Sequence, residues 1–175
     1  REQSHFDFLR TDLLPRWREL TARKPATLRV WSSACSSGEE PHTLAIVLAE
    51  FFQGTAAWSI EATDISTRVL ARAQQAIYEA DKVAPIRPDL LRRYFQRGVG
   101  QWEGHFRVKD ELRSRITFRH LNLLQRHYPF NERFHVIFCR NVMIYFDRPT
   151  QEELVRKLGR LLVPGGYLFV GHAES

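Results

Sequence analysis

Apolar residues along this chain switch between two spacings, and the switches mark out its elements. Across residues 6–23, Phe6, Leu9, Leu13, Leu14, Trp17 and Leu20 recur every three or four positions. That spacing predicts a helix, broken or kinked where Pro15 removes an amide donor. Residues 28–34 follow as a short apolar run ending in small and polar residues, the mark of a buried strand. Pro41 suits a first helical turn and opens a predicted helix over 41–52 that carries Leu44, Ile46, Val47, Leu48, Phe51 and Phe52. Glu39 and Glu40 fall at its dipole-positive start.

A second strand is predicted over 58–62, ending at Asp64, with Ser66 as N-cap of a helix running through residue 77. Strand, helix, strand, helix argues for crossover connections and a parallel sheet. Residues 78–115 break that rhythm. They hold a short helical piece at 88–95 and then, over 97–108, glycines and alternating apolar residues that predict a small antiparallel hairpin. The natural reading is an inserted β-subdomain at about residues 96–115. Strands resume at 116–121, ending at Asn122, and at 136–139, ending at Arg140 and Asn141. An amphipathic helix over 150–162 begins near Pro149, and Gly165-Gly166 turns the chain into a last strand at 167–171. The expected fold class is α/β, an open parallel sheet without internal repeats. The chain opens at Arg1 and stops at Ser175, just past that strand, and so reads as a fragment of a longer polypeptide.

The length of 175 residues suits one compact domain with a real core. With 43% hydrophobic and 26% charged residues the composition is that of a soluble globular protein. No secretory signal and no apolar run of about 20 residues is present, so neither membrane insertion nor export is expected. The two cysteines, Cys35 and Cys139, make no disulfide framework and point to a reducing, cytoplasmic setting, with both thiols filling space at strand ends. A formal charge of +6 speeds encounter with anionic partners. The arginines are spread out, however, clustering only at Leu91-Arg-Arg-Tyr94 and Arg113-Ser-Arg115, as on a solvated face. The seven histidines show no metal-ligand spacing, so no metal site is expected.

The chemistry lies at the predicted strand ends. Glu39 with Glu40, Asp64, Asn122, and Arg140 with Asn141 would share one rim of a parallel sheet, the rim at which such sheets bind ligands. In nucleotide-binding sheets an acidic side chain ending the second strand accepts hydrogen bonds from both ribose hydroxyls, and Asp64 is expected to do this. Its alternative role is capping the next helix, for which Ser66 looks better placed. The loop Ala34-Cys-Ser-Ser-Gly-Glu-Glu-Pro41 is not a Gly-x-Gly-x-x-Gly cradle and sets carboxylates where phosphates need bare amides. Carboxylates suit a ligand with an ammonium or sulfonium, and S-adenosylmethionine carries both along with an adenosine. A Glu-Glu pair opening a helix also has a plain dipole explanation.

Four segments closely resemble the CheR chemotaxis protein methyltransferases. They are Trp31-Ser-Ser-Ala-Cys-Ser-Ser-Gly-Glu-Glu-Pro-His-Thr-Leu-Ala-Ile46, Ala62-Thr-Asp-Ile-Ser66, Cys139-Arg-Asn-Val-Met-Ile-Tyr-Phe-Asp147 and Gly171-His-Ala-Glu174. The likeness runs over essentially the whole chain. It implies a Rossmann-like class I S-adenosylmethionine-dependent methyltransferase sheet over 1–175, with the small inserted antiparallel β-subdomain. A helical domain before Arg1 and edge strands after the last residue would then lie outside this sequence.

The activity implied is methyl transfer from S-adenosylmethionine to glutamate side chains of bacterial chemoreceptors, leaving S-adenosylhomocysteine and tuning signalling adaptation. The alternative is a non-catalytic S-adenosylmethionine-binding sensor. By resemblance, Arg1, Glu40, Asp64, Asn122, Leu123, Arg140 and Asn141 fall where the family contacts its cofactor. Arg1 and Tyr145 are the implied catalytic residues, Arg1 for positioning and Tyr145 near the transferring methyl; a core tyrosine is the plainer reading of Tyr145. The implied partner is the receptor's cytoplasmic domain, with its C-terminal peptide docking at the inserted hairpin in some relatives. His135 departs from the Phe-Asp usual at the start of the fourth strand. Nothing resembles the Pro-Pro-Tyr substrate loop of nucleic-acid methyltransferases, so no nucleic acid partner is expected.

Overall fold

The computed structural model describes residues 3–171. The N-terminal amphipathic segment forms α1 (Gln3–Phe8) and α2 (Leu14–Thr21), joined by a π-helical turn at Leu9–Leu13. Proline explains the turn. Pro15 sits in the first turn of α2 and has no amide to give the preceding turn, and Leu14 N–H bonds back five residues to the Leu9 carbonyl. The predicted kink is thus a local widening, which leaves Leu9, Leu13 and Leu14 all buried.

The remaining elements in chain order are β1 (Leu28–Ser32), α3 (Glu39–Phe52), β2 (Trp58–Asp64), α4 (Thr67–Gln75), β3 (Ile77–Glu79), α5 (Ala80–Val83), α6 (Pro88–Tyr94), β4 (Phe95–Arg97), β5 (His105–Val108), α7 (Asp110–Arg113), β6 (Ile116–His120), β7 (Phe134–Cys139), α8 (Arg148–Arg160) and β8 (Leu162–Val170). Five strands form one sheet in the order β6-β2-β1-β7-β8, every neighbouring pair parallel. Because β1 leads to β2 on one side while β7 lies on its other side, strand order reverses at β1, and a crevice opens there at the carboxyl ends.

Side chains alternate across the pleat, so neighbouring residues of one strand feed two cores. Val30, Val136 and Phe138 pack with Leu44, Leu48 and the N-terminal helices, while Trp31, Ile137 and Cys139 pack with Leu154 and Leu158 of α8. Trp31 is fully buried, and its indole Nε1–H donates to Thr63 Oγ1 at 3.0 Å; Thr63 in turn donates to the Ser33 carbonyl at 2.9 Å. This buried relay fixes the end of β1 against the end of β2, where the site begins.

The second sheet is antiparallel, in the order β3-β5-β4. The sequence predicts the β4–β5 hairpin but places residue 77 in the preceding helix, and here the structure differs. Ala76 turns left-handed at φ 53° and Ile77 pairs with Arg107 in β5. The Val108 amide takes the Ala76 carbonyl at 3.0 Å, so tertiary pairing ends the helix before its apolar period runs out. Among the described residues, no helix is long and apolar enough to cross a membrane.

Candidate active site

A cavity of about 910 Å³ opens at the carboxyl ends of β1, β2, β6 and β7. Glu39, Glu40, Asp64, Asn122, Leu123, Arg140, Asn141 and Tyr145 all line it, so residues from separate strand ends share one space. Arg1, the other residue implicated by resemblance, lies outside the described residues, as does most of the Gly171-His-Ala-Glu174 motif.

The first loop, residues 33–38, is tied down by its own amides. Cys35 N–H donates to the Thr63 carbonyl at 2.8 Å, Ser36 N–H to Asp64 Oδ2 at 2.9 Å and Gly38 N–H to the Cys35 carbonyl at 2.9 Å. These three donors are spent inside the fold. Asp64 accepts a second amide, from Ser66, at 2.9 Å through Oδ1, while Ser66 Oγ caps α4 by accepting from Val69 N–H. The two expected roles of Asp64 therefore overlap in space. Its carboxylate anchors the loop and the turn into α4, and it also faces the cavity.

Glu40 and Arg140 meet each other. Arg140 sets both Nε and a terminal nitrogen 2.7 Å from Glu40 Oε2, and Ser32 Oγ donates to Glu40 Oε1 at 2.7 Å. The guanidinium lies over the rings of Phe6, at 5.0 Å, and Phe138, at 5.5 Å. Asn141 holds a left-handed backbone at φ 59°, a conformation its short polar side chain tolerates, and turns the chain out of β7. Asn122 Oδ1 accepts from Leu124 N–H at 2.9 Å, which shapes the turn that presents Leu123. Tyr145 ends the short 3-10 turn Met143–Tyr145 and is 78% exposed, so it is not a core tyrosine, whereas Met143 of the same turn is buried.

The charges that bear on Cys35 are negative although the chain as a whole is basic. Burial first, and the charges of Asp64 and Glu40 in the same direction, push the Cys35 thiol up to about 12. Such a thiol is no nucleophile at neutral pH. No group of three or more potential metal ligands occurs among the described residues.

Sequence reasoning missed Gln3, Phe6, Ser33, Val142, Phe146 and Tyr78 in the wall. For Tyr78 a weak signal existed in the β-branched and aromatic pair Ile77-Tyr78, residue types favoured in strands. His42 was also passed over. It is buried beside Tyr78, and loss of hydration pushes it down from 6.5 to about 4, so it is neutral in the fold. As pH falls between those values the unfolded chain takes up a proton that the folded chain refuses. Stability is therefore complete above about 6.5 and drains away toward about 4. Urea unfolding at pH 7 and pH 4.5 should show His42→Gln losing about 2 kcal/mol less than the parent chain between the two conditions. Equal pH losses would contradict this.

Comparison with known proteins is consistent with the geometry. Residues 1–175 match the family model described as CheR methyltransferase, SAM binding domain. Chemotaxis protein methyltransferases of Salmonella typhimurium and Escherichia coli are 43% and 44% identical to the chain over all of its length. The chain spans 58% and 59% of those relatives. Among solved structures, DszA carbon methyltransferase superposes with a TM-score of 0.56 at 14% identity, covering 95% of this chain and 35% of that one. PKMT2 from Rickettsia typhi in complex with AdoHcy superposes at 0.52 and 15% identity, covering 89% of this chain and 24% of that one. Likeness at that level of identity speaks for the shared fold.

Proposed function

The chain belongs to the CheR methyltransferase family, whose SAM-binding domain it matches throughout, and from that premise we propose that it transfers a methyl group from S-adenosylmethionine to glutamate side chains of a bacterial chemoreceptor. The observation that carries this is the cavity where strand order reverses, lined by three carboxylates, Glu39, Glu40 and Asp64. That donor set fits a cationic nucleoside and disfavours a phosphorylated one.

Asp64 would accept the ribose hydroxyls, since each carboxylate oxygen holds a single amide and retains acceptor capacity. Glu40 and Glu39 would attract the ammonium end, and Asn122, Leu123 and Asn141 would border the adenosine. Arg140 would serve by holding Glu40. Bound there, S-adenosylmethionine supplies a methyl on a sulfonium, which an ionised carboxylate takes by direct displacement.

A glutamate acceptor of ordinary pKa, about 4.3, is already ionised at neutral pH, so the chain need not supply a general base. This agrees with a cavity whose thiol is silenced by burial. What remains for the protein is alignment and the exclusion of water, because opposite charges neutralise each other in the transition state and water favours them apart. Tyr145, at the mouth, would orient the carboxylate or shed water from it, and Arg1 would steer the incoming acid. The cavity exceeds what a nucleoside needs and leaves room for an acceptor side chain.

The small sheet, an inserted subdomain in this reading, would serve the receptor: the outer edge of β4 has unpaired backbone groups for an added strand from a C-terminal peptide. Cytoplasmic residence follows from the substrate.

Methyl-tritiated S-adenosylmethionine incubated with the chain and a receptor cytoplasmic domain should give base-labile label on the receptor. Cofactor binding without such label would overturn the enzyme reading and favour a sensor.

A further inference from the structure

Tyr78 belongs to β3, a strand of the small sheet, yet its hydroxyl reaches the first loop of the large one. It donates to the Ser37 carbonyl at 2.9 Å and lies 2.8 Å from His42 Nδ1. The hydroxyl has one proton, given to Ser37. His42 Nδ1 is also 2.8 Å from the Gly38 carbonyl, so its N–H is shared between that carbonyl and the Tyr78 oxygen. Burial pushes the Tyr78 hydroxyl above its ordinary range and keeps it protonated. One phenol and one imidazole thus satisfy two successive loop carbonyls.

The same loop is squeezed from outside. Gly38 has φ +95°, and a Cβ there would stand 2.9 Å from both Ala73 Cβ and Tyr78 Oη. On either side of this pinch lie the groups that matter for the cavity. Ser36 N–H grips Asp64, and Glu39 and Glu40 follow directly.

We infer that Tyr78 is a positioning residue for methyl-donor binding, acting from the small sheet by fixing residues 36–39 and through them Asp64 and Glu40. The inference rests on reading the cavity as a donor site. It differs from a packing role because the hydroxyl, not the ring, is what counts. Tyr78→Phe keeps the ring in the core and removes only the hydroxyl's bonds, the one given to Ser37 and the one accepted from His42.

The test compares the full chain with Tyr78→Phe by three measurements. Without ligand, hydrogen exchange at the amides of Ser36 and Gly38 should speed up about fivefold while amides of the central strands keep their rates. Titration with S-adenosylhomocysteine should show affinity about fivefold weaker. At saturating donor, kcat should stay within about twofold of the parent. Unchanged loop exchange and affinity would overturn the inference, and so would faster exchange spread evenly over the sheet. A parent chain that fails to bind S-adenosylhomocysteine would refute the donor reading, while the exchange rates still decide whether Tyr78 holds the loop.

Discussion

Replacing Glu40 by glutamine should destabilise the fold by about 3 kcal/mol in urea unfolding. The two side chains of the pair are 15% and 8% exposed, so neither charge is well hydrated. Glutamine keeps the size of glutamate and can still accept from Ser32, but it takes away the carboxylate that faces the Arg140 guanidinium, which lies over the rings of Phe6 and Phe138. Stranding a buried ion is costlier than removing the pair. The double variant Glu40→Gln with Arg140→Met should therefore be more stable than Glu40→Gln alone, methionine filling the space over Phe6 and Phe138. If Glu40→Gln costs under about 1 kcal/mol, or if the second substitution makes matters worse, the pair behaves as a surface bridge instead. The pair also joins the start of α3 to the end of β7, so its loss should loosen the crevice on both sides.

That pair shows where sequence reasoning stops. The strand ends were legible because the central runs of β1 and β7 are short, buried on both faces and closed by polar residues, and the parallel order follows from helices between the strands. The rim residues were therefore found together. What was not legible is which of them face a ligand and which face each other. Glu40 and Arg140 are 100 residues apart, and their union depends on β7 lying beside β1. Asp64 poses the same problem, since its amide partners come from two different loops. Short strands were lost for a related reason. The three residues of β3 are held by β5, some thirty positions on, against a local pattern that still reads as helix. Phe6 illustrates the converse: helical spacing identified it as apolar and inward-facing, but only packing shows that inward here means against Arg140 and the cavity.

Asp64→Ala should weaken S-adenosylhomocysteine binding by roughly a hundredfold or more, a larger effect than any other single change in the cavity. Two losses combine. The loop and the turn into α4 each lose a charge-assisted amide bond of 2.9 Å, and the ribose loses its acceptor. These can be separated, because the anchoring loss exists without ligand. It should appear as a stability decrease of about 2 kcal/mol in the free protein, whereas the loss of ribose contact appears only in the titration. Asp64→Asn sharpens the distinction. Its carbonyl oxygen can keep one amide, but its amide group must then point a donor at the other, so anchoring should suffer nearly as much as in the alanine variant. Toward ribose hydroxyls, which both donate and accept, asparagine can re-pair, and its affinity should fall only about tenfold. Binding by calorimetry and stability by urea, measured on all three proteins, decide the matter. Folded Asp64→Ala with the affinity of the parent would remove the ribose from Asp64 and leave it solely the tie between the first loop and α4.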